Sequence, residues 1–439
     1  YLGVGSGNGK KAFVNHDSSN LTDGPKAPDN PPVASSTDFG PYYGTGTGAG
    51  WVKDATDSGP FFPEDHFAGS DDPLVPSDIT AYNAHSNGWG APVQFPSLVT
   101  TIAIPFHRTA DWAEKGKKPS GGGNSSLTDL STNTLCGIFN GDITDWSDPA
   151  IKADNGGVQL GSGPITVVYR SDGSGTTFLT SNGLISQCAA TSHPIPNSWQ
   201  TAPGNTAGAG GNSFFINAQA AGVLPANFTG ANGSGGVKTA INSIVGSIGY
   251  LSPDFVQPVD NTGPFAANLQ TWYSFTNGLA PVFKAPSPKN GTAIVAATKP
   301  PLFTAGSCPI GTAMGQSPDG KCAHNALNWG TAVPRPLSAA AYPLGGFSFF
   351  DTYTCFNSAA DLAALANKTG TLGYFTWYYA GATLNRGIPK AQLAANGFSV
   401  VPASWMSAIK KLISTDTATK LSTPGTAKTG CASATGTGA

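Results

Sequence analysis

Apolar positions fall into short, dense runs of two alternating kinds, separated by stretches rich in Gly, Pro and Ser. The β-branched run "VVYRS" (167–171) reads as a strand, and "TTFLTSNGLISQC" (176–188), directly after it, has the apolar spacing of a helix. "GVKTAINSIVGSIGYLSPDF" (236–255) predicts a helix, a glycine stop and a further strand. "QFPSLVTTIAIPF" (94–106) and "YPLGGFSFFDTYT" (342–354) are long enough and apolar enough for strands buried on both faces. "SAADLAALANKT" (358–369) and "PASWMSAIKKLI" (402–413) return to helical spacing, the first opened by a Ser suited to an N-cap. Alternation of this kind predicts an α/β chain.

Between these elements lie loops at 18–62, 117–126, 200–212 and 284–307 and a Gly/Ser/Thr-rich tail at 415–439. No fixed period recurs, so a solenoid is excluded. The longest apolar run, Leu98 to Phe106, is far short of a membrane span. Of 439 residues 39% are hydrophobic, enough for real cores, but only 11% are charged against roughly 25% in an ordinary soluble domain. Fifty-seven glycines and 35 prolines go with a neutral, turn-rich surface of the sort secreted proteins carry. A net charge of −2 without any Lys/Arg tract argues against nucleic acid as a partner. The six cysteines, at 136, 188, 308, 322, 355 and 431, have no metal-ligand spacing. Their even number favours disulfides and an oxidising compartment over six buried thiols. Sequons at Asn227 and Asn290 matter only where the source glycosylates.

Candidate chemistry concentrates in "VVYRSDGSGTT" (167–177). A strand that turns through Gly and Ser into a helix aims unpaired backbone N–H groups and the positive dipole end at one point. Ser174 and Thr176 add hydroxyls, Gly173 and Gly175 permit close approach, and Arg170 offers a planar fork to a tetrahedral oxyanion. Asp172 is placed to orient Arg170. An ordinary capped helix with a surface Arg–Asp pair would carry the same letters, and this stretch leaves both readings open. "YLGVGSGNGKKAFVNHD" (1–17) repeats the device with Ser6 as the expected cap, and "FAGSDDPL" (67–74) sets Asp71 after a small-residue turn. An ionised carboxylate only accepts hydrogen bonds, so it welcomes an oxyanion that keeps a proton and repels one that has none.

With "LCGIFNGDITDW" (135–146), "SIGYLSPDF" (247–255), "YPLGGFSF" and "VPASW" (401–405), these motifs resemble, in order and over most of the chain, the DING branch of the phosphate-binding proteins of bacterial phosphate ABC transporters. The resemblance implies two lobes of the type II periplasmic-binding-protein fold joined by hinge strands and closing on one phosphate. Ser6, Asp71, Arg170, Ser174, Gly175 and Thr176 would be the phosphate contacts, with Asp172 in support. It also implies disulfides Cys136–Cys188 and Cys355–Cys431, leaving Cys308 and Cys322 to close a loop of their own. The family opens on a Gly-rich strand and helix whose N–H groups also hold the anion. Tyr1 falls just before the second motif, so this opening element is expected to be missing, trimmed away or supplied by another chain.

A site drawing on 1–74 and on 167–177 must straddle two lobes. The expected division is 1–98 plus about 256–439 against about 99–255, with the first crossing near 98–106 and the return at 247–255 or 342–354. The expected function is non-catalytic binding of hydrogen phosphate by a secreted or periplasmic protein. No cofactor, metal or catalytic residue is expected, and transporter membrane subunits are the expected macromolecular partner. Two other readings stay open: a subunit of an extracellular assembly of copies of itself, and a phosphomonoesterase. The latter has no HExxH, no GxSxG and no Asp/His cluster in its favour.

Overall fold

The computed structural model describes residues 5–15, 66–85, 89–113, 125–196, 224–256, 263–303, 322–356, 359–369, 372–380, 388–423 and 431. Within them the chain builds two β-sheets, each flanked by helices.

The first sheet has three antiparallel strands in the order β1 (Phe67–Ser70), β10 (Gly345–Tyr353), β2 (Pro92–Thr101). The second is mixed. Its strands run β4 (Ser125–Leu130), β8 (Phe265–Gln270), β3 (Pro105–Phe106), β7 (Ser247–Gly249), β5 (Thr166–Arg170), β6 (Phe228–Ala231), with β9 (Phe283–Lys284) paired to β8. β5 is parallel to both β6 and β7, and β4 is parallel to β8; β3 runs antiparallel to β7 and β8. Parallel neighbours bury a strand on both faces, which is why "TVVYR" carries a β-branched run instead of strict alternation.

β2 runs along the first sheet and then crosses. Ile102 donates its N–H to Leu344 O (2.9 Å), Ala103 bridges Leu251, and by Pro105 the chain is in the second sheet. Residues 265–284, past the expected boundary near 255, supply two further strands of that sheet. The helix Pro288–Ile294 then packs on β2 and β10, so the return to the first layer follows Lys284.

Helix α1 (Gly5–Asn15) lies against β1 and α2 (Pro76–His85). Phe13, Tyr82 and Tyr353 pack together there as a small aromatic core. In the second layer α3 (Thr132–Asn140), α4 (Pro149–Asp154), α5 (Gly175–Cys188) and α6 (Gly233–Ser243) flank the mixed sheet. The glycine stop is real: Gly246 has φ +76, where an L side chain is strained, and a Cβ would stand 2.6 Å from Pro164 O. The main core, with Phe106, Trp112 and Trp146 packed together at β3, is continuous across both layers.

Cys136–Cys188 ties α3 to the last residue of α5, and Cys355–Cys431 pins a residue of the tail beside β10, both as the resemblance implies. Ahead of Cys431, Ser422 donates to Thr354 O and its carbonyl accepts from Phe356 N–H, so this part of the tail is packed. Cys308 lies outside the described residues, as do Tyr1 and the Ser358 cap.

Candidate functional site

β5 ends at Arg170, and three residues of turn lead to Ser174 (φ −142, ψ 129), the N-cap of α5. Its Oγ accepts from Thr177 N–H (3.2 Å), which leaves the hydroxyl proton to donate elsewhere. The N–H groups of Gly175 and Thr176, at the first two helical positions, have no partner within the helix. α5 is buried along most of its length, including its first turn, so these donors and the dipole end are shielded from bulk water.

α1 and the end of β1 meet this helix start from the other layer. Ser6 is the second residue of α1, not its cap as the sequence pattern suggested, because the helix already starts at Gly5. Its Oγ accepts from Asp71 N–H (3.2 Å), again freeing a hydroxyl proton. How closely the parts meet is measured at Gly175. A Cβ there would lie 2.4 Å from Ser6 Oγ, 2.6 Å from Asp71 Cβ and 2.8 Å from Asp71 N. On the neighbouring turn, a Cβ on Gly7 would lie 3.3 Å from Gly173 O. Only glycine lets three backbone segments approach like this.

Arg170 is 5% exposed and thoroughly oriented. Its Nε and Nη2 donate to the two oxygens of Asp172 (2.6 and 2.5 Å), and Nη1 donates to Ser234 Oγ (3.0 Å). Of five N–H groups, this leaves one on each terminal nitrogen for a ligand. Burial alone would raise the Asp172 carboxyl. The bonds and charge of Arg170 and the N–H of Gly233 (2.9 Å) outweigh it and hold Asp172 below the usual range, so it stays ionised. Tyr250 Oη accepts from Arg170 N–H (3.0 Å) and lies 2.8 Å from Thr177 Oγ1, which locks the strand end to the helix start.

Asp71 is half-buried beside this fork. Burial, more than any other cause, pushes its carboxyl up to about 6; the Ser348 hydroxyl bond and Arg170 pull it down, while Asp254 and Asp72 push it further up. Ser348 reaches it because β1 and β10 are in register at Ser70 opposite Phe349. One step on, the β10–β2 ladder shifts between Ser348 and Phe349, leaving Ser97 as an extra residue on β2.

Arg170, Asp172, Ser174, Gly175, Thr176, Ser6 and Asp71 are therefore brought together, where α1, β1 and α5 meet between the two sheets. Sequence reasoning missed Ser234, Tyr250, Ser348 and Asp254. A signal existed for Ser234: "NGSGG" (232–236) is another Gly/Ser helix start. For Ser348 only strand register carries it.

The PBP superfamily domain model matches residues 1–306. The chain is 30% identical over 435 residues to alkaline phosphatase L of Pseudomonas aeruginosa strain UCBPP-PA14, covering 95% of this chain and 83% of the relative. It is 31% identical over 394 residues to a phosphate-binding protein of an unknown prokaryotic organism, covering 86% and 89%. Among solved structures it is similar to a high affinity periplasmic phosphate-binding protein, PfluDING, bound with phosphate at pH 8.5, with a TM-score of 0.62, 26% identity and coverage of 96% and 89%.

Proposed function

The chain belongs to the PBP superfamily, within it to the DING-type phosphate-binding proteins, and from that premise we propose that it is a periplasmic or secreted protein binding hydrogen phosphate between its two lobes. The observation that carries the reading is the convergence of Ser6, Asp71 and the α5 N-terminus on Gly175, with the Arg170 fork beside them. Donors outnumber acceptors in this pocket. The Gly175 and Thr176 N–H groups, the Ser6 and Ser174 hydroxyls and two guanidinium N–H groups suit three unprotonated phosphate oxygens. Asp71 accepts the proton of the fourth. Sulfate has no proton to offer and would set an oxygen against the carboxylate.

The lobes are the first sheet with α1, α2 and the C-terminal helices, and the second sheet running through β9. Ile102–Ile104, bridged to Leu251, is the connecting strand about which they close. Handing the anion to the membrane subunits of a phosphate ABC transporter is the partner role that family membership supports.

The relative named alkaline phosphatase L raises turnover as a competing reading, which the side chains do not favour. Ser174 Oγ accepts from Thr177 N–H as the cap of α5, a structural use of this hydroxyl. His66, His193 and His324 pair with Asp361, Asp142 and Asp416, and His107 Nδ1 lies 3.0 Å from Ile241 O. Purified protein is expected to release no more product from an aryl phosphate than its Ser174→Ala variant; turnover lost in that variant would reinstate the enzyme. The decisive test is calorimetric titration with phosphate and with sulfate at pH 8. Phosphate alone should give a saturable isotherm, and equal binding of both anions would contradict the role given to Asp71.

A further inference from the structure

Directly behind Asp71 the chain buries a second set of charges that the anion contacts do not use. Lys10, in the second turn of α1, is 8% exposed. Its Nζ reaches Asp78 Oδ2 (2.8 Å), Asp72 Oδ2 (3.2 Å) and Pro73 O (3.0 Å), so one ammonium holds α1, the 71–73 turn and the start of α2 together. The turn is also tied to itself: Ser70 Oγ donates to Asp72 O (2.7 Å) and accepts from Asp72 N–H (3.0 Å). Asp351, opposite Ala68 in the sheet, is fully buried, and neither carboxylate oxygen has a hydrogen-bond partner among the described residues. Burial drives its carboxyl well above the usual range, while the bonds of Lys10 go to Asp72 and Asp78 instead.

We propose that Lys10 is a positioning residue for anion specificity, clamping Ser6 and Asp71 at one spacing and offsetting Asp72, so that of the two consecutive acids it is Asp71 that this lobe presents to the ligand without a cation of its own. The inference rests on the phosphate reading of the site. Three observations carry it. The clamp lies four residues from Ser6 and one from Asp71, the two first-lobe groups that meet at Gly175. Asp71 and Asp72 are consecutive acids beside an anion pocket, an arrangement tolerable only if one is neutralised from behind. A lysine this buried persists as a charge only when it is paired, and here it has two carboxylate partners, Asp72 and Asp78. The charges facing Asp71 are Arg170 from β5, Asp254 from the helix after β7, and Asp72 from its own turn; Lys10, Asp78 and Asp351 stand behind Asp72.

Phosphate and sulfate titrations between pH 5 and 9 on the full chain test this, using wild type, Lys10→Met, Lys10→Arg, Asp72→Asn and the double variant Lys10→Met/Asp72→Asn. The ligand's own titration is common to all and cancels in the comparison. Lys10→Met should weaken phosphate binding at least about tenfold, about 1.4 kcal/mol. It should also move the pH at which phosphate preference over sulfate appears upward, because bare Asp72 opposes ionisation of Asp71. The double variant should return that midpoint toward wild type, Lys10→Arg should recover most of the affinity, and Asp72→Asn alone should move the midpoint downward. If Lys10→Met does not fold, the Asp72→Asn shift decides instead. Unchanged midpoints in the folded variants, with wild type binding phosphate, overturn the role of Lys10 alone; a wild type that binds no phosphate overturns the reading beneath it.

Discussion

Arg170 shows how packing prepares a single side chain for the anion contact proposed for it. Asp172 takes two of its N–H groups and Ser234 a third, so the guanidinium enters the pocket with its direction set and little rotamer freedom left to lose. Each charge-assisted hydrogen bond lost is worth roughly 1.5–3 kcal/mol, so Arg170→Ala should weaken phosphate binding by about 3 kcal/mol or more, read by calorimetry. Asp71 makes a different prediction. Its carboxyl, raised to about 6, stays ionised at pH 8 and becomes protonated below about 6. Sulfate should therefore compete better at pH 5 than at pH 8, and Asp71→Asn should make sulfate binding insensitive to that change. The same raised value bears on stability. Between about pH 4 and 6 the folded chain binds more protons at Asp71 than the unfolded chain, so stability without ligand should fall as pH rises through that window. Denaturant titrations of wild type against Asp71→Asn would measure it.

At the scale of elements, the site is a meeting of two helix starts and a strand end that leaves no room for a side chain at Gly175. Gly175→Ala places a methyl where Ser6 Oγ and Asp71 N already stand, and backbone on one side cannot yield cheaply. We expect loss of phosphate binding together with a lower melting temperature, since α1 and α5 must part to accommodate it. The far end of α5 is held differently: Cys188 joins it to Cys136 across 52 residues of sequence. In the chain-entropy model such a loop contributes about 4 kcal/mol. Replacing both cysteines by Ala should lower the melting temperature while leaving phosphate affinity nearly intact, because the proposed anion contacts lie at the other end of the helix.

For the whole molecule, one apolar core spans both sheets, and the proposed closure would turn about Ile102–Ile104, with Leu251 beside it. Phosphate at about 100 times its Kd should stabilise the folded state by about 2.7 kcal/mol through mass action alone. A melting-temperature rise with phosphate, absent with sulfate, would register it. Small-angle scattering should show a smaller radius of gyration on adding phosphate; an unchanged radius would mean that the lobes are already closed.

Much of this could be read from the letters because the physics concerned is local. The strand–turn–helix of 166–188, the glycine stop at 246 and the oxyanion character of "RSDGSGTT" all depend on neighbours within a few residues. Asp71 was legible as a candidate for the same reason, a bare acid after a small-residue turn. The tertiary structure alone decided that Ser6 is a helical residue, that Ser348 reaches Asp71 through strand register, and that β8 and β9 complete the second sheet. It alone set Lys10 behind Asp72. Those outcomes depend on pairings between segments tens to hundreds of residues apart, and no local propensity or period encodes which segments will pair. The sequence by itself determined what kinds of group could hold an anion; packing decided which of them share one pocket.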